Sequence, residues 1–290
     1  MSENENQSAE PIPNAYFIQQ GDLFVPTKRS LGYWLDNTLT GPAVASLLAC
    51  CLERAFGGPD YIVTRFCVDL LGMIPAEPFS VETRMLRSGK RLQLAEATIS
   101  ADGQLLARAS AQFIRRTENP DNPTWQTPDW PSPAPDALEE GRGYGLCSVK
   151  PVAPEYARMV REAPDATDSG RGNAPVLGPM APVSCRQAWF RPERLAIDGV
   201  PLTPFMRAAM MGDMTSPMTH SSEFGIDFIN TDFTLYLHRE PVGEWIGLEL
   251  VSHNARDGVG IGGCWMHDVE GVLGTVNLSA IAQVRRKNAA

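Results

Sequence analysis

Cysteines are the first residues in this 290-residue chain whose chemistry needs an account, because thiolates bind metals, form disulfides and act as nucleophiles. The chain has six of them, at Cys50, Cys51, Cys67, Cys147, Cys185 and Cys264. None form a C-x-x-C pair. In a chain of this length without a signal peptide, this spacing predicts buried thiols, with no disulfide and no structural zinc or other metal site.

A glycine-rich run is the second candidate for chemistry. Gly258–Gly263 satisfies G-x-G-x-x-G, which binds dinucleotides only where it follows a strand and opens a helix. The next residues, Cys264–Asp268, have the pattern of a strand, so dinucleotide binding is not expected. The chain also lacks the G-x-S-x-G elbow of serine hydrolases and the D-x-N-P-x-H signature of hydratases. The sequence therefore predicts a protein without a cofactor.

Several polar motifs occur in a fixed order along the chain. Asp213 follows an apolar helix, Asn230–Arg239 reads NTDFTLYLHR and Gly271–Asn277 reads GVLGTVN, while Leu86–Lys90 and Asp102–Gln104 lie in the first half. Together they resemble the acyl-CoA thioesterase II family. The resemblance covers both halves of the chain. It implies a double hotdog fold, an α+β fold of two tandem antiparallel sheets that each wrap around a central helix, and it implies hydrolysis of acyl-CoA to free acid and CoA.

The resemblance also implies roles for individual residues. In that family an Asp, a Thr or Ser and a Gln activate a water molecule against the thioester; Asp213, Asn230 and Asn277 stand at those positions here. Asp213 would be the base for water or a carboxylate nucleophile, and the two amides would hold the water. A backbone N–H near Gly41 would face the carbonyl oxygen. Because two helpers are replaced by Asn, a non-hydrolytic acyl-CoA or acyl-group binding protein is the alternative; acyl transfer or dehydration has no supporting motif.

Further residues are candidates for contacts with the substrate. Arg87, Lys90 and Arg91 could meet the CoA phosphates, or they could form an ordinary solvated hairpin. Flexible methionine side chains suit alkyl tails of varied length, and they also fill cores. Four methionines lie in or just after the apolar helix that begins after Thr203: Met206, Met210, Met211 and Met214. These four are predicted to line the slot for the acyl chain, with Met210 and Met211 as the named substrate contacts; the alternative is that they belong to the core.

Two halves of the chain repeat the same order of elements, one apolar helix followed by three or four strands. An offset of 163 residues superimposes them without a gap. The identical pairs are Leu39/Leu202, Thr40/Thr203, Ala45/Ala208, Asp69/Asp232, Glu77/Glu240 and Pro78/Pro241. This indicates an internal duplication. Under the same offset Cys50 and Cys67 stand where Asp213 and Asn230 stand, so the second half is predicted to hold the chemistry.

Composition divides the chain into regions. Residues 1–16 are polar and are predicted to form a disordered tail. Residues 17–116 and 183–290 are patterned and are predicted to be the N- and C-terminal hotdogs. Residues 117–182 hold twelve of the 24 prolines and are predicted to be a linker on the surface.

Charge and hydropathy exclude some partners. The formal net charge of −9 argues against nucleic acid and anionic membranes, which attract clustered Lys and Arg. No apolar run approaches the ~20 residues of a membrane span, and the N-terminus has no signal peptide. The sequence predicts a cytoplasmic protein and, by analogy with hotdog proteins, a homodimer.

Overall fold

The structure is a computed structural model in which residues 13–128, 130–141, 146–152, 186–222 and 225–283 are described. The elements of the first half are β1 (Ala15–Gln20), β2 (Leu23–Pro26), α1 (Gly41–Phe56), β3 (Tyr61–Leu70), β4 (Glu82–Ser88), β5 (Leu92–Ala101) and β6 (Gln104–Arg115). Those that follow are β7 (Cys147–Pro151), β8 (Gln187–Pro192), β9 (Leu195–Ile197), α2 (Pro204–Gly212), α3 (Thr215–His220), β10 (Ser221–Ser222), β11 (Gly225–Ile226), β12 (Phe228–Asn230), β13 (Asp232–Leu237), β14 (Ile246–Arg256), β15 (Val259–Asp268) and β16 (Gly271–Ala282).

One large antiparallel sheet dominates the described part of the chain. Its strand order is β4-β5-β6-β3-β13-β16-β15-β14-β8-β7, and β12 extends the pairing along β16. The two halves of the chain meet in the middle of this sheet, where β3 pairs with β13. Burial alternates along the strands, as in β3, where the half-buried Cys67 stands between the buried Phe66 and Val68. The sheet therefore has one face on the core and one face outward.

The apolar helix of each half packs against the inner face of this sheet. α1 begins with Pro42 in its first turn, where a missing N–H costs nothing, and its residues are almost all buried as far as Leu52. It packs against α2 on one side and against β5 and β6 on the other, which explains why it is apolar around most of its circumference. α1 has 16 residues, and no helix in the described ranges qualifies as a membrane span.

The residue numbers of corresponding elements in the two halves differ by one offset for the helices and by another for the sheet strands. The starts of α1 and α2 agree with the predicted offset of 163, Gly41 with Pro204. In the sheet the offset is 167, since β5 and β15 begin at 92 and 259 and β6 and β16 begin at 104 and 271. The four extra residues are taken up between the helix and β12, where β10 and β11 form a small ribbon. The predicted pairs Asp69/Asp232 and Cys67/Asn230 are therefore corrected by four residues.

The pairing of β3 with β13 is symmetric under the corrected offset. Cys67 lies directly opposite Thr234, and these two positions are related by 167 residues. The ladder extends equally on both sides, from Arg65 opposite Tyr236 to Asp69 opposite Asp232. A pseudo-twofold axis thus passes between Cys67 and Thr234, and it relates residue n of the first sheet half to residue n + 167 of the second.

The N-terminal strand differs from the prediction of a disordered tail over residues 1–16. β1 begins at Ala15, and the side chains of Ala15, Tyr16 and Phe17 are fully buried. β1 pairs with β2 and, in parallel, with β9, so it joins the first half of the chain to the second. The burial of two aromatic rings supplies the stabilisation that composition alone did not indicate. Residues 1–12 lie outside the described residues.

The Pro-rich segment also differs in part from a surface linker. β7 lies within it, pairs with β8 and buries Cys147 and Val149. Pro151 is compatible with this strand because β7 is at the edge of the sheet, where a residue without an N–H breaks no ladder. The ring of Trp130 lies 5.2 Å from that of Trp189. Residues 153–185 lie outside the described residues.

Candidate active site

Asp213 lies at a break in the apolar helix of the second half, between the end of α2 and the start of α3. The chain tightens there, because Met214 N–H donates to the Met211 carbonyl at 3.0 Å and Ser216 N–H donates to the Asp213 carbonyl at 3.1 Å. These are bonds between residues three apart, which shorten a helical turn. The break places a carboxylate inside the protein, with 8% of Asp213 exposed.

Asn230 holds this carboxylate from the sheet. Its side-chain Nδ2 donates to Asp213 Oδ1 at 2.9 Å. Asn230 is the last residue of β12, and Thr231 separates it from β13. The structure therefore brings together two of the site residues that the sequence predicted, Asp213 and Asn230.

The N-terminus of α1 is the third component of the site. A Cβ atom on Gly41 would lie 2.5 Å from Asp213 Oδ2 and 2.6 Å from Oδ1, so only glycine allows the helix start and the carboxylate to approach so closely. The first N–H groups of a helix have no acceptor within the helix, and they favour a negative charge nearby. The predicted contact residue Gly41 thus lies against Asp213.

Burial controls the protonation of Asp213. Removal from water raises its pKa from 3.8 to about 6, and the hydrogen bond from Asn230 opposes this rise. The group is ionised at neutral pH, but it binds a proton far more readily than an exposed carboxylate. A pKa near the working pH is what a general base requires.

An apolar cavity of about 320 Å³ opens beside this carboxylate. Both halves of the chain form its wall. The lining residues are Tyr33, Trp34, Leu39, Thr40, Gly41, Pro42, Val44, Leu70, Leu71, Gly72, Met73, Ile74, Leu146, Asp213, Met214, Ser216, Pro217, Ile226, Ile229, Asn230, Thr231 and Ile281. Asp213 is the only lining residue among them that carries a formal charge at neutral pH, so the cavity suits an apolar group with one polar end.

Asn277, the second predicted amide, lies on the opposite face of the sheet. Its neighbours Val276 and Leu278 are buried on the core side, whereas Asn277 is exposed and contacts the backbone at Gly263. Successive side chains in a strand point to opposite faces, so a residue between two core residues cannot face the helix. The prediction that Asn277 belongs to the site is therefore wrong.

The predicted substrate contacts have mixed outcomes. Met210 and Met211 are fully buried and do not line the cavity, so they belong to the core; Met214, one turn later, does line it. Arg87, Lys90 and Arg91 lie at the hairpin between β4 and β5, at the edge of the sheet. None of these three cations lines the cavity.

A network behind Asn230 was missed from the sequence. The Asp232 carboxylate accepts from Ser279 N–H at 2.9 Å and from the Ser279 hydroxyl, and the Thr231 hydroxyl lies 3.0 Å from that of Ser279. These bonds hold the junction of β12 and β13 against β16 and so position Asn230. The uninterrupted run Asn230-Thr231-Asp232 was the signal that could have indicated them.

Comparison with known proteins adds the family and the fold. The family model of the acyl-CoA thioesterase N-terminal domain matches residues 32–114, and that of the acyl-CoA thioesterase C-terminal domain matches residues 120–281. No curated protein matches the chain by sequence.

Solved structures resemble the chain over almost its whole length. A tesB protein of Mycobacterium avium subs. paratuberculosis is 15% identical with a TM-score of 0.64, covering 92% of this chain and 96% of its own. An acyl-CoA thioesterase II of Mycobacterium marinum is 17% identical (TM-score 0.60, coverage 93% and 97%). A conserved protein of Alicyclobacillus acidocaldarius with a hot dog fold is 16% identical (TM-score 0.63, coverage 94% and 97%). The chain has a hotdog fold.

Proposed function

We propose, from the premise that the chain belongs to the acyl-CoA thioesterase family and hydrolyses acyl-CoA to free acid and CoA, that Asp213 is the base that activates the attacking water. The observation that carries this proposal is a single buried carboxylate, held by Asn230, at the wall of an apolar cavity. The non-hydrolytic alternative is not favoured by the family. No metal or organic cofactor is needed, because a thioester carbonyl is already electrophilic.

The proposed reaction has two steps. Asp213 takes a proton from water as the water oxygen bonds to the thioester carbonyl carbon, and the carbonyl oxygen becomes an oxyanion. When this intermediate collapses, the carbon–sulfur bond breaks, the carboxylic acid forms and CoA leaves as a thiolate. The proton held by Asp213 returns to the thiolate, so the carboxylate is regenerated.

Stabilisation of the oxyanion is assigned to the start of α1. The backbone N–H of Gly41 has no acceptor within its own helix, and the helix dipole adds a partial positive charge at this end. Asn230 keeps Asp213 oriented by occupying Oδ1, which leaves Oδ2 for the water. The acyl chain would extend into the cavity, past Met214 and Ile229.

The two halves are proposed to be tandem hotdogs, 17–116 and 183–290 of the chain. The equal lengths of β5 and β15 and of β6 and β16, at one offset, support this. The pseudo-twofold pairing of β3 with β13 supports it as well, since two like sheets joined edge to edge produce that symmetry. A cytoplasmic homodimer remains part of the proposal, and light scattering on the purified protein tests the dimer.

Asp213→Asn tests the proposed base. The variant keeps the size of the side chain but cannot accept a proton, so thioester hydrolysis should fall by about 10²–10⁴-fold. Release of CoA thiol from a panel of acyl-CoAs measures it. Asp102→Asn is the matched control, because Asp102 lies in an exposed turn with φ of 51°, which Asn tolerates. A folded Asp213→Asn protein with unchanged turnover would remove Asp213 from the mechanism.

A further inference from the structure

A second cavity, of about 370 Å³, lies where strands of the two sheet halves meet, away from Asp213. Its lining residues are Thr64, Arg65, Gln112, Ile114, Tyr236, Leu237, His238, Leu273, Gly274 and Thr275. It shares none of these residues with the cavity beside Asp213. Its volume is within the range of sites for small ligands, about 300–1,000 Å³.

The pseudo-twofold axis relates this second cavity to the first. At the offset of 167 residues, Thr64 and Ile114 correspond to Thr231 and Ile281, which line the first cavity. In the other direction, Leu237 and His238 correspond to Leu70 and Leu71, which also line it. The second cavity therefore occupies part of the position that a second active site would occupy in a symmetric duplication.

The second cavity is lined by a positively charged side chain, whereas the first is lined by the negatively charged Asp213. Asp213 corresponds to Cys50 in α1, and no carboxylate lines the second cavity within the described residues. Arg65 supplies a positive charge instead, and its Nε atom is buried without a hydrogen-bond partner. A buried guanidinium N–H without an acceptor is costly, so an anion that accepts from it would be favoured.

Arg65 differs in this respect from other arginines near it. Arg108, four positions before Gln112, which lies opposite Arg65 on β6, is paired with Asp69 at 2.7 Å. Arg239, beside the cavity, is paired with the Asp268 carboxylate. In each of these two pairs the positive and negative charges offset each other. Arg65 therefore contributes the positive charge at the wall of the second cavity.

The remaining polar groups suit a planar group next to the anion. Tyr236 lies directly opposite Arg65 in the β3–β13 ladder and is 50% exposed, so its ring is available for stacking. His238 Nδ1 lies 2.9 Å from the Leu273 carbonyl, which can only accept, so Nδ1 carries a proton; in the neutral tautomer with this bond, Nε2 is an acceptor. An exocyclic amino group of a base is a donor of the kind that this acceptor would bind.

We propose that the second cavity is a binding site for a phosphate-bearing nucleotide, with the phosphate on Arg65 and the base against Tyr236. Arginine binds phosphate oxygens through its planar fork of N–H groups, and aromatic rings stack on bases. The site is not catalytic, since it has no carboxylate base. It goes beyond the hydrolysis proposed at Asp213 and does not depend on it.

Calorimetric titration of the full-length protein with adenosine 3′,5′-bisphosphate tests the proposal at constant ionic strength. Binding is expected, and adenosine and inorganic phosphate, which each lack one half of the recognised group, should bind at least about ten-fold more weakly. ADP in a parallel titration distinguishes the sources: preference for the bisphosphate indicates the nucleotide of CoA, and equal binding indicates adenine nucleotides in general. The titration contains no thioester, so its result does not depend on hydrolysis at Asp213. Absence of nucleotide binding would leave the proposed hydrolysis intact, and absence of hydrolysis would leave nucleotide binding intact.

Variants decide whether binding occurs at this cavity. Arg65→Gln should weaken the bisphosphate about ten-fold or more, and Tyr236→Ala should weaken it while Tyr236→Phe, which keeps the ring, should not. Arg108→Gln is the matched control on the same face of the sheet and should bind normally. The proposal is overturned by absence of binding at millimolar ligand, by equal binding of inorganic phosphate, or by equal losses in Arg65→Gln and Arg108→Gln. Tyr236 is exposed, so its variants stay informative if Arg65→Gln does not fold.

Discussion

At the scale of single residues, burial of the Asp213 carboxylate lowers the stability of the folded protein at neutral pH. Its pKa in the folded protein is about 6 against 3.8 for an unperturbed carboxyl, so the folded state holds a proton that the unfolded state has released between these values. The raised pKa therefore adds about 3 kcal/mol to the free energy of unfolding below about pH 4. This contribution is lost as the pH rises to about 6. The fold bears this cost at neutral pH, where the ionised carboxylate is the form that can act as a base.

The raised pKa predicts the pH dependence of turnover. Hydrolysis should rise with pH as Asp213 loses its proton, should be half-maximal at about pH 6, and should reach a plateau at neutral pH. Initial rates of thioester loss between about pH 3 and pH 10 measure the profile. An inflection near pH 4 would mean that the base is a solvated carboxylate, and one above pH 8 would indicate a thiol.

The close approach at Gly41 predicts a second effect on turnover. Gly41→Ala places a methyl group 2.5 Å from the Asp213 carboxylate, which is inside van der Waals contact, so the carboxylate must move. Displacement by about 1 Å lowers turnover on the order of 10²-fold. Gly58→Ala is the control at the other end of α1, because a Cβ there meets nothing within 4 Å. Equal activities in the two variants would contradict the assigned geometry.

At the scale of elements, the two apolar helices differ at one point. α1 continues without interruption for 16 residues, whereas its counterpart breaks at Asp213 into α2 and α3. The break lets Asp213 reach the cavity, and the counterpart position in α1 is Cys50, which is buried inside an intact helix. The same scaffold thus holds a carboxylate at the cavity wall in one half and a core residue in the other.

The buried thiols of the first half are predicted to be inert. Burial raises the pKa of Cys50 and raises that of Cys51 to about 12, so neither forms the thiolate that a nucleophile needs. Cys50→Ala should therefore keep near-normal turnover and lose about 1 kcal/mol of stability from packing. Cys67→Ala should keep near-normal turnover because Cys67 does not line the cavity beside Asp213. Loss of thioester absorbance, rather than a thiol dye, is the appropriate readout. Lost turnover in a folded Cys variant would replace the carboxylate mechanism by a thiol mechanism.

At the scale of the whole molecule, the two halves are joined both through the sheet and outside it. β3 pairs with β13 inside the main sheet, and β1 pairs with β9 in the small sheet. The cavity beside Asp213 takes its wall from both halves, from Thr40 and Leu70 as well as from Asn230. Neither half can supply the complete cavity wall alone, although the proposed base belongs to the second half.

The β1 contact predicts a sharp limit for N-terminal truncation. Removal of residues 1–12 leaves β1 and the Pro13 carbonyl, which accepts from Arg29 Nε, in place, and this protein is the reference. Removal of residues 1–20 also removes Tyr16 and Phe17, which are fully buried, and should cost about 5 kcal/mol or more. Urea denaturation of the two truncated proteins measures the difference. Equal stabilities would mean that β1 contributes little to the fold.

The amino-acid sequence by itself determined the helices and most strands, and it predicted the repeat and the acid. α1 is the apolar helix predicted for the first half, and the four strands β3 to β6 follow it, as the pattern of three or four strands predicted. Asp213 was also identified from the order of the motifs. These features are local, because periodicity, caps and turn residues act within a few positions along the chain.

Only the tertiary structure decided which side chains meet. Asn277 was assigned to the site, but β16 turns it outward, since a change of one residue in a strand exchanges the two faces of a sheet. The four-residue shift between the helix and sheet offsets changed the counterpart of Cys67 in the second half from Asn230 to Thr234. β1 and β7 gained their order from partners distant in the chain, β9 and β8. Register and burial depend on such pairings, and those pairings form only when the whole chain folds.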